Sequence, residues 1–155
     1  MRYWLMKSEP SEFSIEDLKK KGVEPWTGVR NYQARNHMRD LMQVGDLILF
    51  YHSSVTPAGV VGTATVGSEA YPDPTQFDEK GEYLEPRATP EKPVWFLVDI
   101  HYASTLKRMV TLQELRENPA TSSMLVVKRG MRLSVQPVTS KEFQAVIDLS
   151  ETTAV

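Results

Sequence analysis

The segment Asp46-Leu-Ile-Leu-Phe-Tyr51 sets the terms for everything around it. Its apolar run has strand length and no polar break, so the strand has no face to give to water. Both faces must be covered. A chain of 155 residues with 41% hydrophobic and 25% charged residues can bury one core of that kind as a single ordinary domain. Other segments fit around it as strands. Arg2–Ser8 is aromatic and apolar and stops at Glu9-Pro10. Pro57–Val66 alternates weakly and carries glycines, which in a strand mark a bend, a bulge or a close backbone approach. Val94–Tyr102 alternates, with Val94, Phe96, Val98, Ile100 and Tyr102 on one face and Trp95, Leu97 and Asp99 on the other. A short strand falls near Leu133–Gln136. Strands that bend at glycines suggest a small closed or half-closed barrel.

Helix signals lie between the strands. Ser14 can cap a helix with Glu16 and Asp17 in its first turn, lysines 19–21 at its end and Gly22 as its stop. Pro25-Trp26-Thr27-Gly28 reads as a turn, and Asn31 caps a second helix over about Tyr32–Leu41. Thr111-Leu-Gln-Glu114 and Thr139-Ser-Lys-Glu142 are capping boxes that open two more short helices. Residues 72–92 contain four prolines and no period, so they read as a long loop. The expected fold class is α+β, one domain over residues 1–150 with residues 151–155 as a frayed tail.

Several functions are excluded or left without support. The chain has no cysteine, so disulfides, thiolate metal sites and cysteine nucleophiles are out. The histidines His37, His52 and His101 stand at no metal spacing. There is no dinucleotide fingerprint, Walker A or zinc-protease motif. His52-Ser53-Ser54 sets hydroxyls beside an imidazole, but neighbours on a strand point to opposite faces, and a strand-end histidine bonded to backbone is the simpler reading. Asp73 and Asp78 read as solvated loop carboxylates. No catalytic residue, metal ligand or cofactor is assigned. No apolar run is long enough to span a membrane, and no signal peptide is apparent. The expected address is cytoplasmic, nucleoid-associated in a bacterium and nuclear in a eukaryote.

The net charge of −2 argues against wrapping long duplex DNA. The average hides a pattern. Residues 28–39 carry Arg30, Arg35 and Arg39 with no acid, and residues 118–141 carry Lys128, Arg129, Arg132 and Lys141 with no acid. The segment 72–92 holds six acids against three bases. Trp26 is either a core plug or a stacking platform. A flat ring near Arg30, Asn31 and Arg35 has the parts to stack on a base, read its edge and hold phosphate. Trp4 and Trp95 sit in strands, where core packing is the default.

These segments also match a family. YWLMKSEP (Tyr3–Pro10), WTGVRNYQARNHMR (Trp26–Arg39), GDLILFYHS (Gly45–Ser53), GVVGTATVGSEAYPD (Gly59–Asp73) with Phe77-Asp78, and PVWFLVDI (Pro93–Ile100) resemble the EVE domain family. That family belongs with the PUA-like folds, beside the YTH and ASCH domains. The resemblance implies a small PUA-like β-barrel flanked by short helices, and a non-enzymatic module that reads a modified base flipped out of DNA or RNA. On the family pattern the base pocket takes in Lys7, Ser8, Trp26, Val29, Asn31, Tyr32, His52, Ser53 and Trp95. Arg30, Arg35 and Arg129 would contact phosphate. Trp95, Phe77 and Tyr83 are candidates for the second aromatic wall. The expected partner is nucleic acid carrying a methylated or hydroxymethylated base, bound by a monomer with no membrane association. The alternatives are a small-molecule or protein-interaction module using the same barrel pocket, or a nucleotide-modifying enzyme with His52 or Asp73 as base.

Overall fold

β1 (Tyr3–Ser8) and β3 (Leu47–His52) run parallel side by side, with Leu5 opposite Leu49 and Ser8 opposite His52. Around them a six-stranded sheet forms in the order β2-β7-β4-β3-β1-β8. Its other members are β2 (Val23–Pro25), β4 (Gly59–Val66), β7 (Asp99–Thr111) and β8 (Val135–Val138). All pairings except β1 with β3 are antiparallel. β5 (Tyr71–Pro72) and β6 (Phe96–Leu97) form a separate pair. The computed structural model describes residues 1–152.

The register slips between Phe50 and Tyr51, between Val60 and Gly62, and between Thr63 and Ala64. Each bulge bends its strand and increases the local twist. The result is a curled, half-open sheet, the near-barrel that the family resemblance implies. Gly62 shows why β4 needs glycine: a Cβ there would lie 2.5 Å from Ile15 Cδ1 and 2.6 Å from the Ser104 carbonyl oxygen.

The apolar run at 47–51 does cover both faces. Ile48 and Phe50 join Trp4, Met6, Leu18, Trp26, Met38 and Ile100 inside the curl. Leu49 and Tyr51 join Leu5, Val60 and Val110 on the outside, beneath Leu115 of α3 (Leu112–Glu117) and Phe143 and Val146 of α4 (Ser140–Glu151). Full burial of side chains this size contributes about 1.5–3 kcal/mol each. α1 (Ile15–Lys21), α3 and α4 all begin with reciprocal capping boxes, Ser14 with Asp17, Thr111 with Glu114, and Thr139 with Glu142.

The elements differ in detail from the expected ones in four places. The stretch Val94–Tyr102 is not one alternating strand. Leu97, Val98 and Ile100 are all buried, because the chain leaves β6 at Val98 and enters β7 on a different sheet. β7 then continues to Thr111, although Ser104, Thr105, Lys107 and Arg108 are polar, because it pairs with β4 over nearly its whole length. The second helix is α2 (Tyr32–Asn36), which widens into a π-helical turn over His37–Leu41. The tail expected from residue 151 overlaps the last helix: α4 includes Glu151, and the Thr152 carbonyl accepts from Arg108 Nε at 2.7 Å. The remainder of the expected tail, 153–155, lies outside the described residues.

Candidate nucleic-acid interface

A cavity of about 490 Å³ opens where β1 ends against the 26–30 turn. Lys7 and Ser8 come from β1, Phe13 from the following loop, Trp26 and Val29 from the turn, and Tyr83 from the long loop. The wall is built by local geometry. Trp26 N donates to the Val98 carbonyl at 3.1 Å, which fixes the indole beside the core. Its ring meets Phe50 (5.8 Å) and Phe13 (6.0 Å) edge to face. Trp26 is 9% exposed, so it is at once a core residue and part of the cavity wall. Trp4 Nε1 donates to Asp46 and Trp95 Nε1 to Glu85, whereas Trp26 Nε1 has no protein partner among the described residues. It is not among the buried unpaired atoms either, so this N–H is open to solvent or ligand. Ser8 Oγ donates to the Phe13 carbonyl (2.5 Å), leaving its lone pairs. Lys7 Nζ donates to the Met131 carbonyl at 2.8 Å, and burial pushes its pKa down.

Gly28 holds the far wall. It has φ +83°, and Tyr83 packs so close to it that a Cβ would lie 2.8 Å from the ring. Its N–H donates to Asp73 Oδ2 at 2.8 Å. Asp73 is therefore not a solvated loop carboxylate. It is 1% exposed and accepts from Gly28 N, Arg30 Nη1, Thr75 N and Thr75 Oγ1. Burial alone would raise its pKa, but the hydrogen bonds from Thr75, Gly28 and Arg30 prevail and hold it below the usual range. Buried Gln76 accepts from the Val94 and Trp95 amides and donates to the Asp73 and Trp95 carbonyls. The 72–92 segment is thus fastened to the cavity edge rather than hanging free.

Arg30 does much of this fastening, and Arg35 holds the adjoining Val94. Arg30 donates four hydrogen bonds, to the Val29 and Tyr83 carbonyls, Asp73 and Thr75. Arg35 donates to the Val94 carbonyl and twice to Asn36 Oδ1. Both enter a stacked ladder. Arg35 lies over Tyr32 (4.8 Å), Tyr32 stacks on Trp95 (4.9 Å), and Arg30 sits against Trp95 (5.3 Å) and Tyr83 (5.1 Å). Glu85 closes the ladder by accepting from Trp95 and from Arg87, whose hydrogen bond brings the Glu85 carboxyl down to about 2. Arg30 therefore braces the cavity wall with four of its five N–H donors bonded to protein, and Arg35, outside the cavity lining, bonds three of its five.

Of the other expected pocket residues, the structure brings Lys7, Ser8, Trp26 and Val29 together and leaves the rest elsewhere. Asn31 caps α2 by accepting from Ala34 N (2.9 Å). Tyr32 and Trp95 belong to the ladder, Tyr32 half-exposed and Trp95 buried. His52 Nε2 accepts from Ile15 N (3.1 Å), and burial lowers its pKa. Ser53 and Arg129 line a neighbouring groove of about 280 Å³. Phe77 faces another hollow on the long loop. Phe13 escaped the sequence reading because it follows β1 in a loop with no periodic signal. Asp73 carried a signal, since Asp-Pro-Thr opens a capped turn, but its partners Gly28 and Arg30 are far away in sequence. Among the described residues, no group of three His, Asp or Glu side chains could hold a metal ion, and no helix is long and apolar enough to cross a membrane.

The EVE domain matches residues 2–149. Thymocyte nuclear protein 1 of Mus musculus is 41% identical over 170 residues, covering 97% of this chain and 74% of that protein. The crystal structure of human THYN1 in complex with 5-methylcytosine-containing DNA superposes with a TM-score of 0.92 at 37% identity, covering 99% of this chain and all of that one. A protein from Pseudomonas syringae superposes with a TM-score of 0.90 at 44% identity, covering 96% and 99% of the two chains. The expected cytoplasmic address is overturned here, because the curated relatives carry a nuclear name. The match takes in nearly the whole chain, the fold agrees with it, and the chain belongs to the EVE domain family.

Proposed function

We propose that this chain is a non-enzymatic reader of a modified base, taken flipped out of DNA into the cavity between Trp26, Phe13 and Tyr83. One observation carries the reading. The only indole N–H without a protein partner among the described residues belongs to the tryptophan that lines an aromatic cavity of nucleotide size. Ligand sites run from about 300 to 1,000 Å³. The human relative crystallised with methylated DNA supports DNA as the polymer and 5-methylcytosine as the first base to test.

The energetics are favourable. Unstacking a base costs a few kcal/mol. Stacking on an aromatic side chain returns about 1–3 kcal/mol, and a buried methyl adds about 0.8 kcal/mol. Polar groups for the base edge are at hand in Trp26 Nε1, the Ser8 lone pairs and the spare donors of Lys7. The two candidate general bases are otherwise engaged. His52 holds the start of α1 and Asp73 holds the turn, so neither is free to take a substrate proton.

The test uses fluorescence anisotropy with labelled oligonucleotides carrying one cytosine or one 5-methylcytosine. Trp26→Ala is a poor probe, since removing a tryptophan packed on Phe13 and Phe50 costs about 3–5 kcal/mol of stability. Trp26→Leu keeps an apolar plug. The reading expects about fourfold or more preference for the methylated strand, lost in Trp26→Leu with the fold retained. Equal affinity for both strands, or a preference that survives Trp26→Leu, would overturn it.

A further inference from the structure

We propose that the aromatic cavity selects bases that carry a positive charge, those methylated on a ring nitrogen, over neutral ones. The inference rests on the base-reading function above and names the class of base it takes.

The rim sets the sign. Glu9, Glu12, Glu24 and Glu82 line the cavity beside its aromatic walls. Two cations line it as well, and both are engaged: Arg30 pairs with buried Asp73, and Lys7 donates to the Met131 carbonyl. Glu24 pairs with Lys21. Glu9, Glu12 and Glu82 are exposed and form no ion pair among the described residues. Three unpaired carboxylates therefore face one half-buried amine, at a mouth that must admit a polyanion. With a neutral base inside, they only repel the flanking phosphates. A cationic base attracts them, and its own charge offsets that repulsion.

The walls favour the same sign. The face of an aromatic ring attracts cations, and tryptophan does so best. Phe13 and Tyr83 already hold one each. The Lys21 ammonium lies 5.8 Å over Phe13, and the Arg30 guanidinium 5.1 Å over Tyr83. Trp26 holds none among the described residues. Burial, and then the charges of Glu82 and Glu12, push the Tyr83 hydroxyl pKa up, so both carboxylates act on that wall. The unpartnered Trp26 N–H suits a base carbonyl oxygen, which a methyl on a ring nitrogen leaves in place. Extraction adds to the preference, because a methyl on a pairing nitrogen blocks pairing and an unpaired base costs least to flip.

The experiment measures affinity at neutral pH for one single strand carrying cytosine, 5-methylcytosine or 3-methylcytosine at a single position. The two methylcytosines are isomers, and only the 3-methyl form is cationic there. Wild type should bind the 3-methylcytosine strand about tenfold tighter than the 5-methylcytosine strand. In Glu12→Gln/Glu82→Gln, which alters two exposed side chains, that preference should fall by about threefold or more. Glu117→Gln/Asp148→Asn removes equal charge from the exposed sides of α3 and α4 and should leave it unchanged. Equal affinity for the two isomers, or the same fall in both variants, would overturn the charge selection. So would displacement of the 3-methylcytosine strand by an equal concentration of a trimethyllysine peptide, which would assign the cavity to a protein ligand. If 5-methylcytosine beats cytosine and 3-methylcytosine gains nothing more, base reading stands and charge selection falls. If neither isomer beats cytosine, both fall.

Discussion

Two stretches of this chain look alike in sequence and behave as opposites in the fold. Residues 28–39 and residues 128–132 are both rich in arginine and both lack acids. In the first, Arg30 and Arg35 donate to carbonyls, to Asp73 and to Asn36, and lie in a ladder with Tyr32, Trp95 and Tyr83. In the second, Lys128, Arg129 and Arg132 face solvent without ion pairs among the described residues. A guanidinium is planar and weakly hydrated, so it serves as well for stacking beside a buried carboxylate as for gripping phosphate. The acids that decide between those uses lie far off in the chain. Asp73 is 43 residues from Arg30.

The sharpest way to break this contrast is stability. Arg30→Ala leaves buried Asp73 without its cation and should destabilise the fold by about 2–4 kcal/mol in urea unfolding. Arg30→Lys should rescue little of it, since an ammonium cannot reach Asp73, Thr75 and the Tyr83 carbonyl as one fork does. Arg129→Ala should stay within about 0.5 kcal/mol of wild type. Equal losses at the two positions would erase the distinction.

Gly28→Ala comes next. The left-handed backbone there costs a side chain about 1–2 kcal/mol, and the new Cβ would push Tyr83 off its seat. The expected result is moderate destabilisation with weakened discrimination between modified and plain bases. Unimpaired discrimination would show that Tyr83 is no part of the wall.

The pH response should be smaller and one-sided. Burial holds His37 and His52 below the ordinary 6.5. The unfolded chain therefore binds protons more readily, so stability is complete above 6.5 and declines as pH falls below it. His52 also loses its capacity to accept from Ile15 N once protonated. Asp73 acts further down. Its stabilising effect is present above its ordinary 3.8 and is lost as pH falls through its lower folded value, taking the Arg30 brace with it. Chemical denaturation at a series of pH values checks this. Stability that rises on acidification from neutral pH would contradict it.

How much of this was legible follows from range. Ser14, Asn31, Thr111 and Thr139 all cap as their local spacing says, because a cap needs only its own next three residues. The doubly covered strand at 47–51 was legible from its composition. β7 past Tyr102 was not, since its polar residues are held as a strand by pairing with β4. Trp26 was legible as either a plug or a platform; it packs in the core and also lines the cavity. The roles of Arg30, Arg35 and Asp73 were not, because each depends on a partner brought in by the fold.

The central claim is that one modified base leaves its stack and lies against Trp26. The most direct measurement is an NMR experiment on the complex with an oligonucleotide whose single 5-methylcytosine carries a ¹³C-labelled methyl group. The account predicts magnetisation transfer from that methyl to ring protons of Trp26, Phe13 or Tyr83, and loss of contacts to the neighbouring bases. A methyl that keeps its contacts with the flanking bases, or that touches Tyr32 and Trp95 instead, would contradict it.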